Sequence, residues 1–391
     1  MTARATARLG EELRREEIRH YSRHLIIPEI GSEGQRRLKG ARILLVGAGG
    51  LGSPAGLYLA AAGVGRLGIV DFDAVEVSNL QRQVLFGTGD VGLPKVERAA
   101  ARLAAMNPHI EVVEHALRLD ASNAIALVAD YDLVVDGTDN FATRYLVNDA
   151  CVLTGTPNVY ASVFRFEGLL SVFNHDGGPC YRCLYPSPPP PGFAPSCGEG
   201  GVFGVLPGIM GSLQAAEAIK LVTGVGRPMS GRLLRFDAGE MDFREFEVRR
   251  DPACPLCGDQ RTQHGLVDYE AFCGVAPERI ATDGVQPRRV SAGWLSGRLS
   301  QPAPVQLVDV RGVNEFEMVH IDGATLLPLD ELEQQLHLLD RGVEVVCYCK
   351  SGVRSLAAAR LLIERGFDNV ASLDGGLEAW ARDVDATAAV Y

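Results

Sequence analysis

From Arg42 to Val46 the chain reads Arg-Ile-Leu-Leu-Val, then runs straight into Gly47-Ala48-Gly49-Gly50-Leu51-Gly52. A short, unbroken apolar run bounded by glycines predicts a strand buried on both faces, as in a parallel sheet. Leu57 to Ala62 predicts a helix, stopped at Gly63. The pattern then repeats. Leu67-Gly68-Ile69-Val70 is a second strand, ending at Asp71, and Lys95 opens a helix to about Met106 after the breaker Gly92-Leu93-Pro94. Tyr131 to Asp136 is another buried strand, running into Gly137-Thr138-Asp139-Asn140. Pro207 to Thr223 reads as a helix and Leu233 to Val248 as closing strands, while Gly10 to Leu25 reads as an amphipathic helix at the start. Near the C-terminus a second series appears: strands Gln306 to Arg311 and Glu344 to Tyr348, then a helix from Leu356 to Arg365. Strands alternating with helices predict an α/β fold with a mostly parallel sheet, followed by a smaller α/β domain.

A chain of 391 residues is too long for one ordinary core. The pattern divides it into an N-terminal helical extension over 1–20, a first domain over 21–260, a linker over 261–287 and a second domain over 288–391. The linker mixes Gly, Asp, Gln, Arg and Pro, although Leu266 to Phe272 can make a short docked segment. A net charge of −11 without a basic stripe argues against nucleic acid. Met1 to Arg15 has no apolar signal region, and no apolar run reaches membrane-spanning length, so a cytoplasmic protein is expected. There, nine cysteines mean metal or thiol chemistry before structural disulfides.

The chemistry starts at the glycines. Gly47, Gly49 and Gly52 form a G-x-G-x-x-G set between a strand and a helix N-terminus, which offers bare N–H groups and a positive dipole end to phosphate. The set alone fits NAD, FAD and ATP equally. Asp71, about twenty residues on, is placed for ribose hydroxyls. Asn79, Arg82 and Lys95 add amide and cationic groups suited to a triphosphate. Asp139, beyond a parallel strand, is placed to hold Mg²⁺, or else caps the helix starting near Phe141. Two C-x-x-C knuckles, Cys180/Cys183 and Cys254/Cys257, predict a closed, structural Cys₄ zinc site, with a redox dithiol as the competing reading for either pair alone. Between them the Pro-rich Tyr185 to Gly192 predicts a stiff surface crossing. It leads to Cys197, a lone thiol in a Gly-rich loop, which is either a nucleophile or a free surface thiol. Cys349 sits where a strand turns into a helix N-terminus, with Lys350 and Arg354 alongside, an environment that stabilises an anionic sulfur. Cys347, on the preceding strand, is expected to point the other way, into the core.

Taken in order, Gly47-x-Gly49-Gly50-Leu51-Gly52, Asp71-Phe72-Asp73, Ser78-Asn79-Leu80-Gln81-Arg82-Gln83, Lys95 and Asp136-Gly137-Thr138-Asp139-Asn140 resemble the E1-type adenylating enzymes of the MoeB/ThiF group, over roughly Tyr21 to Cys257. That resemblance implies a Rossmann-like adenylation domain that uses ATP. It puts the Gly47–Gly52 loop, Asp71, the Ser78–Arg82 segment, Lys95 and Asn140 at the nucleotide, and Asp139 on magnesium. It puts Arg23 at the nucleotide site of the other protomer, hence a homodimer. Asp309-Val310-Arg311, His320 to Ala324, the Cys349 loop and Asp374-Gly375-Gly376 resemble rhodanese over about Val290 to Trp380. This implies that Cys349 carries a persulfide, with Arg354 stabilising its charge. A phosphatase of similar fold needs five residues between Cys and Arg, and only four separate Cys349 from Arg354.

Together the two halves imply ATP-dependent adenylation of a ubiquitin-like sulfur carrier at its C-terminal Gly-Gly. Sulfur transfer to a thiocarboxylate would follow, with Cys197 as the second thiol. The sulfur donor would be a cysteine desulfurase or thiosulfate, and the sulfur would go to molybdopterin, thiamine, cysteine or tRNA. The chain itself ends Ala389-Val390-Tyr391, so it reads as the activator and not the carrier. Two alternatives stand beside this: an NAD-dependent oxidoreductase with an appended rhodanese module, and a thioester-forming activator using Cys197.

Overall fold

The run that opens the pattern is the middle strand of the parallel part of its sheet. In the computed structural model, β1 (Arg42–Val46) pairs in parallel with β2 (Arg66–Val70) on one side and β4 (Leu133–Asp136) on the other, with Leu45 opposite Ile69 and Val135. Ile43 and Leu45 pack with Ala55, Leu59 and Met210 on one face; Leu44 and Val46 pack with Val134, Tyr145 and Val147 on the other. Burial on both faces is why the strand shows no polar alternation. The structure describes residues 8–189, 200–273 and 287–388, and the chain separates into two units, Met1–Glu278 and Arg279–Tyr391.

In the first unit β3 (Glu111–His115) and β5 (Asn158–Phe164) extend the parallel part. β6 (Glu167–Phe173), β7 (Arg232–Asp237) and β8 (Asp242–Glu247) continue antiparallel, giving the order β3-β2-β1-β4-β5-β6-β7-β8. Successive parallel strands add outward from β1 in one direction, then from β4 in the other. The crevice at this switch lies beyond the carboxyl ends of β1 and β4, where open α/β sheets bind ligands. Glycine is demanded there. Gly47 has φ +89°, and a Cβ on Gly52 would lie 1.8 Å from the Gly47 carbonyl oxygen, so the helix Gly52–Ala62 can start this close to the strand only without a side chain.

The N-terminal segment departs from the expected single helix. Two short helices, Arg15–His20 and Ser22–Leu25, meet at Tyr21, whose backbone leaves helical geometry. Its hydroxyl accepts a 2.9 Å bond from the Asn107 side-chain amide, and its ring lies over Gly63. Burying that ring competes with a continuous helix, and tertiary packing wins. The stretch read as linker starts with an ordered piece: the short helix Tyr269–Phe272 docks on the helix Phe141–Thr154, its Tyr269 hydroxyl donating to Asp149 at 2.7 Å.

The second unit is a five-stranded parallel sheet of β9 (Arg288–Val290), β10 (Val305–Asp309), β11 (Thr325–Leu326), β12 (Glu344–Tyr348) and β13 (Val370–Leu373), in the order β11-β10-β12-β13-β9. Every residue of β12 is buried, and Cys349 follows it directly, before the helix Val353–Glu364. Cys347 is a core residue, but it does not point away from Cys349. Both pack in one cluster with Val308 and Val345, whereas Tyr348 between them belongs to the opposite one. The two-residue period of a strand puts 347 and 349 on the same side.

Candidate functional site

A cavity of about 270 Å³ opens at the carboxyl ends of β1, β2 and β4. Gly47, Gly49, Gly50, Asp71, Arg82, Lys95, Asp139 and Asn140, eight residues scattered over the sequence, line it together. Asp71 accepts the Ala48 N–H at 2.8 Å and the Asp73 N–H at 2.9 Å. Burial pushes its carboxyl up, and those bonds and Lys95 oppose the shift. Lys95, nearly buried, donates to Asp73 at 3.0 Å, and Arg82 donates to the Ser78 carbonyl at 2.9 Å. Asn140, not Asp139, is the helix cap, its Oδ1 accepting the Thr143 N–H at 2.9 Å. Asp139 is thereby left exposed, facing the cavity and without a protein partner among the described residues. A free carboxylate beside cationic groups fits a hard cation held between protein and phosphate oxygens.

The other residues assigned to the nucleotide from the sequence do not line this cavity. Gly52 serves the strand–helix approach. Asn79 accepts the Glu76 N–H at 3.3 Å and so shapes the turn that carries Arg82. Ser78 and Gln81 are exposed, Leu80 packs against the core, and Arg23 is exposed on its short helix. The sequence reading also missed lining residues, above all Arg144 and Gln83. Arg144 was legible in principle, since it stands one turn beyond the helix cap Asn140 that faces the crevice. A second cavity, of about 840 Å³, adjoins the first through Asp139, Asn140, Thr143 and Arg144. Its walls are Tyr160, Phe164, Leu169, Tyr181, Pro188 and Pro189, together with Cys273. Burial pushes the Cys273 thiol up to about 11.

The two knuckles meet. Cys180 Sγ is 3.7 Å from Cys254 Sγ, Cys183 Sγ is 3.3 Å from Cys257 Sγ, and all four sulfurs lie within 4.8 Å of one another. Four thiolates at ~2.3 Å from a tetrahedral zinc stand ~3.8 Å apart, so the cluster fits the metal. The knuckle is tied inward by Arg182, which donates two bonds of 2.8 and 2.7 Å to the fully buried Asp149; Asn148, Gln263 and Tyr269 also donate to that carboxylate.

In the second unit Cys349 is only 1% exposed, and its Sγ accepts the Gly352 N–H at 3.1 Å. The Leu377 N–H donates to the Cys349 carbonyl at 2.8 Å, fastening the loop to the helix Gly376–Asp383. A Cβ on Gly376 would lie 2.4 Å from that carbonyl oxygen, which accounts for the Asp374-Gly375-Gly376 sequence. Arg354 makes a bidentate pair with Glu315 at 2.7 and 2.8 Å, so part of its charge is committed to that carboxylate. Cys197 lies outside the described residues.

No helix among the described residues is long and apolar enough to cross a membrane. The family model described as "ThiF family" matches residues 21–256, and the "Rhodanese-like domain" model matches 291–383. The chain is 50% identical to the probable adenylyltransferase/sulfurtransferase MoeZ of Mycobacterium tuberculosis, over 97% of this chain and 96% of the relative. It is 56% identical to the sulfur carrier protein adenylyltransferase of Thermus thermophilus, over 67% of this chain and 98% of the relative. Among solved structures, Escherichia coli MccB with ATP superposes at a TM-score of 0.55 with 26% identity, covering 61% of this chain and 73% of that one. The chain therefore belongs to the ThiF family and carries a rhodanese-like domain after its ThiF region.

Proposed function

We propose that this enzyme adenylates the C-terminal carboxylate of a ubiquitin-like sulfur carrier with ATP and then converts it to a thiocarboxylate, using sulfur carried on Cys349. The observation that carries the reading is the union, in one chain, of a cavity holding Arg82, Lys95 and Asp139 with a loop holding Cys349. The carrier carboxylate attacks the α-phosphorus of ATP, the bond to pyrophosphate breaks, and an acyl-adenylate forms. Arg82 and Lys95 stabilise the charge that develops on the phosphates. Asp139 would hold Mg²⁺, which supplies further screening of the phosphate oxygens.

The terminal sulfur of a Cys349 persulfide then attacks the acyl carbon, and AMP departs with the electron pair of the broken C–O bond. The product is an acyl disulfide. A second thiolate attacks Cys349 Sγ, the S–S bond breaks, and the thiocarboxylate leaves. A cellular thiol reduces the remaining disulfide. Cys197 is our assignment for the second thiolate. Arg23 would act across a homodimer, and the cysteine usage favours the cytoplasm. A cysteine desulfurase or thiosulfate would supply the persulfide.

The test is the intact mass of a Gly-Gly-terminated carrier after incubation with enzyme, ATP, magnesium and thiosulfate. The expected gain is that of one sulfur replacing one oxygen; a carrier ending as an enzyme-bound thioester, or ATP-independent NAD turnover, would replace this reading with another.

We assign zinc to Cys180, Cys183, Cys254 and Cys257, as a structural ion. Metal analysis of the purified chain should return about one zinc per chain. Cys254→Ser should lower the thermal midpoint of the first unit and reduce the yield of folded protein. Equal stability with and without a strong chelator would remove zinc from the account.

A further inference from the structure

Arg144 has no place in the chemistry described so far, yet it stands where the two cavities of the first unit join and lines both. It is only 8% exposed. Its Nη2 donates to the Thr138 carbonyl at 3.1 Å, and its guanidinium carbon lies 5.5 Å from the Phe141 ring centre and 5.4 Å from that of Tyr160. Its Nε is buried without a hydrogen-bond partner, the Tyr181 hydroxyl bonds to its side chain, and the Asp136 carboxylate acts on its charge without closing an ion pair among the described residues. That buried acid, Asp136, spends Oδ1 on the Thr138 N–H and hydroxyl and keeps Oδ2 without a hydrogen bond among the described residues. A desolvated guanidinium held in place by aromatic rings, with an N–H to spare, is a preorganised anion receptor.

Two anions are available to it. The triphosphate already has Arg82 and Lys95 in the smaller cavity. The larger cavity is walled by tyrosine, phenylalanine, leucine and proline side chains and suits an extended, uncharged peptide segment. Arg118 also borders both cavities, but its side chain is 66% exposed and paired with Glu270, so solvent screens it. Only Arg144 puts a buried cation at the inner end of the apolar cavity.

We propose that Arg144 binds the C-terminal carboxylate of the carrier and positions it for attack on the α-phosphorus, a role that rests on the adenylation reading above. Arg144 then does two things. It selects a free carboxylate over any other chain end, and it keeps that carboxylate ionised and oriented at the entrance to the nucleotide cavity. The bonds it makes are charge-assisted, so their loss weakens carrier binding by roughly 10- to 100-fold.

The experiment measures carrier-dependent ATP–pyrophosphate exchange in the full chain and in its R144K and R144M variants. A ubiquitin-like carrier ending in Gly-Gly serves as substrate, and the same carrier with a C-terminal carboxamide as competitive inhibitor. R144K keeps a charge facing Asp136 and serves where R144M folds poorly, with zinc content and thermal midpoint as folding controls. The expected result is a carrier KM raised roughly 10- to 100-fold in R144M and by a smaller factor in R144K. The ATP KM and the carboxamide inhibition constant should stay as in wild type. A structural role would weaken both carrier forms alike, and a phosphate role would raise the ATP KM; either result overturns the assignment, as does an unchanged carrier KM. No exchange in the wild type would refute adenylation itself, whereas wild-type exchange with unaltered variants would refute only the role of Arg144.

Discussion

Cys349→Ala should abolish thiosulfate-dependent thiocarboxylation of the carrier and leave carrier-dependent ATP–pyrophosphate exchange at the wild-type rate. The physical ground is the division of labour between the two units. The nucleotide cavity is built entirely by residues of the first unit, whereas Cys349 closes β12 in the second, with the Gly352 N–H on its sulfur. Alanine fits the Cys349 position with little steric change, so the loop should keep its fold while losing the atom that carries sulfur. Arg354→Ala should have an effect of the same kind but smaller. It releases Glu315 from its bidentate pair and loosens the loop without removing the nucleophile. The measurements are intact mass of the carrier and radiolabel exchange, run on the same preparations. Exchange lost along with sulfur transfer, or thiocarboxylation persisting at full rate, would break the two-step scheme.

Asp139→Ala and Lys95→Ala should each reduce pyrophosphate exchange by ~10²- to 10³-fold, the scale seen when one preorganised charge is removed from a developing anion. Neither change should cost much stability. Asp139 is exposed, and the helix behind it is capped by Asn140, so no fold contact depends on its carboxylate. Lys95 is buried, but its partner Asp73 has a side chain 52% exposed and can be rehydrated when the amine is gone, while Asp71, which also feels the Lys95 charge, keeps the Ala48 and Asp73 N–H bonds to its carboxylate. Loss of exchange with an unshifted thermal midpoint is therefore the expected signature. Exchange retained in both variants would take these residues out of the phosphate site. A midpoint that fell along with activity would reassign them to structure.

Much of this was legible in the residues alone. The unbroken apolar runs at β1, β4 and β12 follow from burial on both sheet faces, Gly47 from a left-handed backbone turn, and Gly52 from a helix start too close to the strand for any side chain. Those are local demands, enforced within a few residues, so the sequence states them directly. The residue types it offered for phosphate, cations and a carboxylate, do line one cavity.

Only the tertiary structure decided which of those residues meet. It brought Gly47, Asp71, Arg82, Lys95 and Asp139 to one crevice, because the strand order reverses between β1 and β4. It turned Ser78 and Gln81 outward, gave Arg354 to Glu315, and broke the N-terminal helix at Tyr21 to bury a ring. It closed the four sulfurs into one cluster across seventy-odd intervening residues, a spacing from which the sequence could infer a pairing but no distance. Arg144 is the sharpest case. Its neighbours in the chain show an ordinary arginine on a helix, and its buried setting comes from the Phe141 ring of its own helix together with the Tyr160 ring of β5 and the Asp136 carboxylate of β4. Local sequence governs what a residue can do; the packing of distant segments governs whether its charge is solvated, paired or held ready for a ligand.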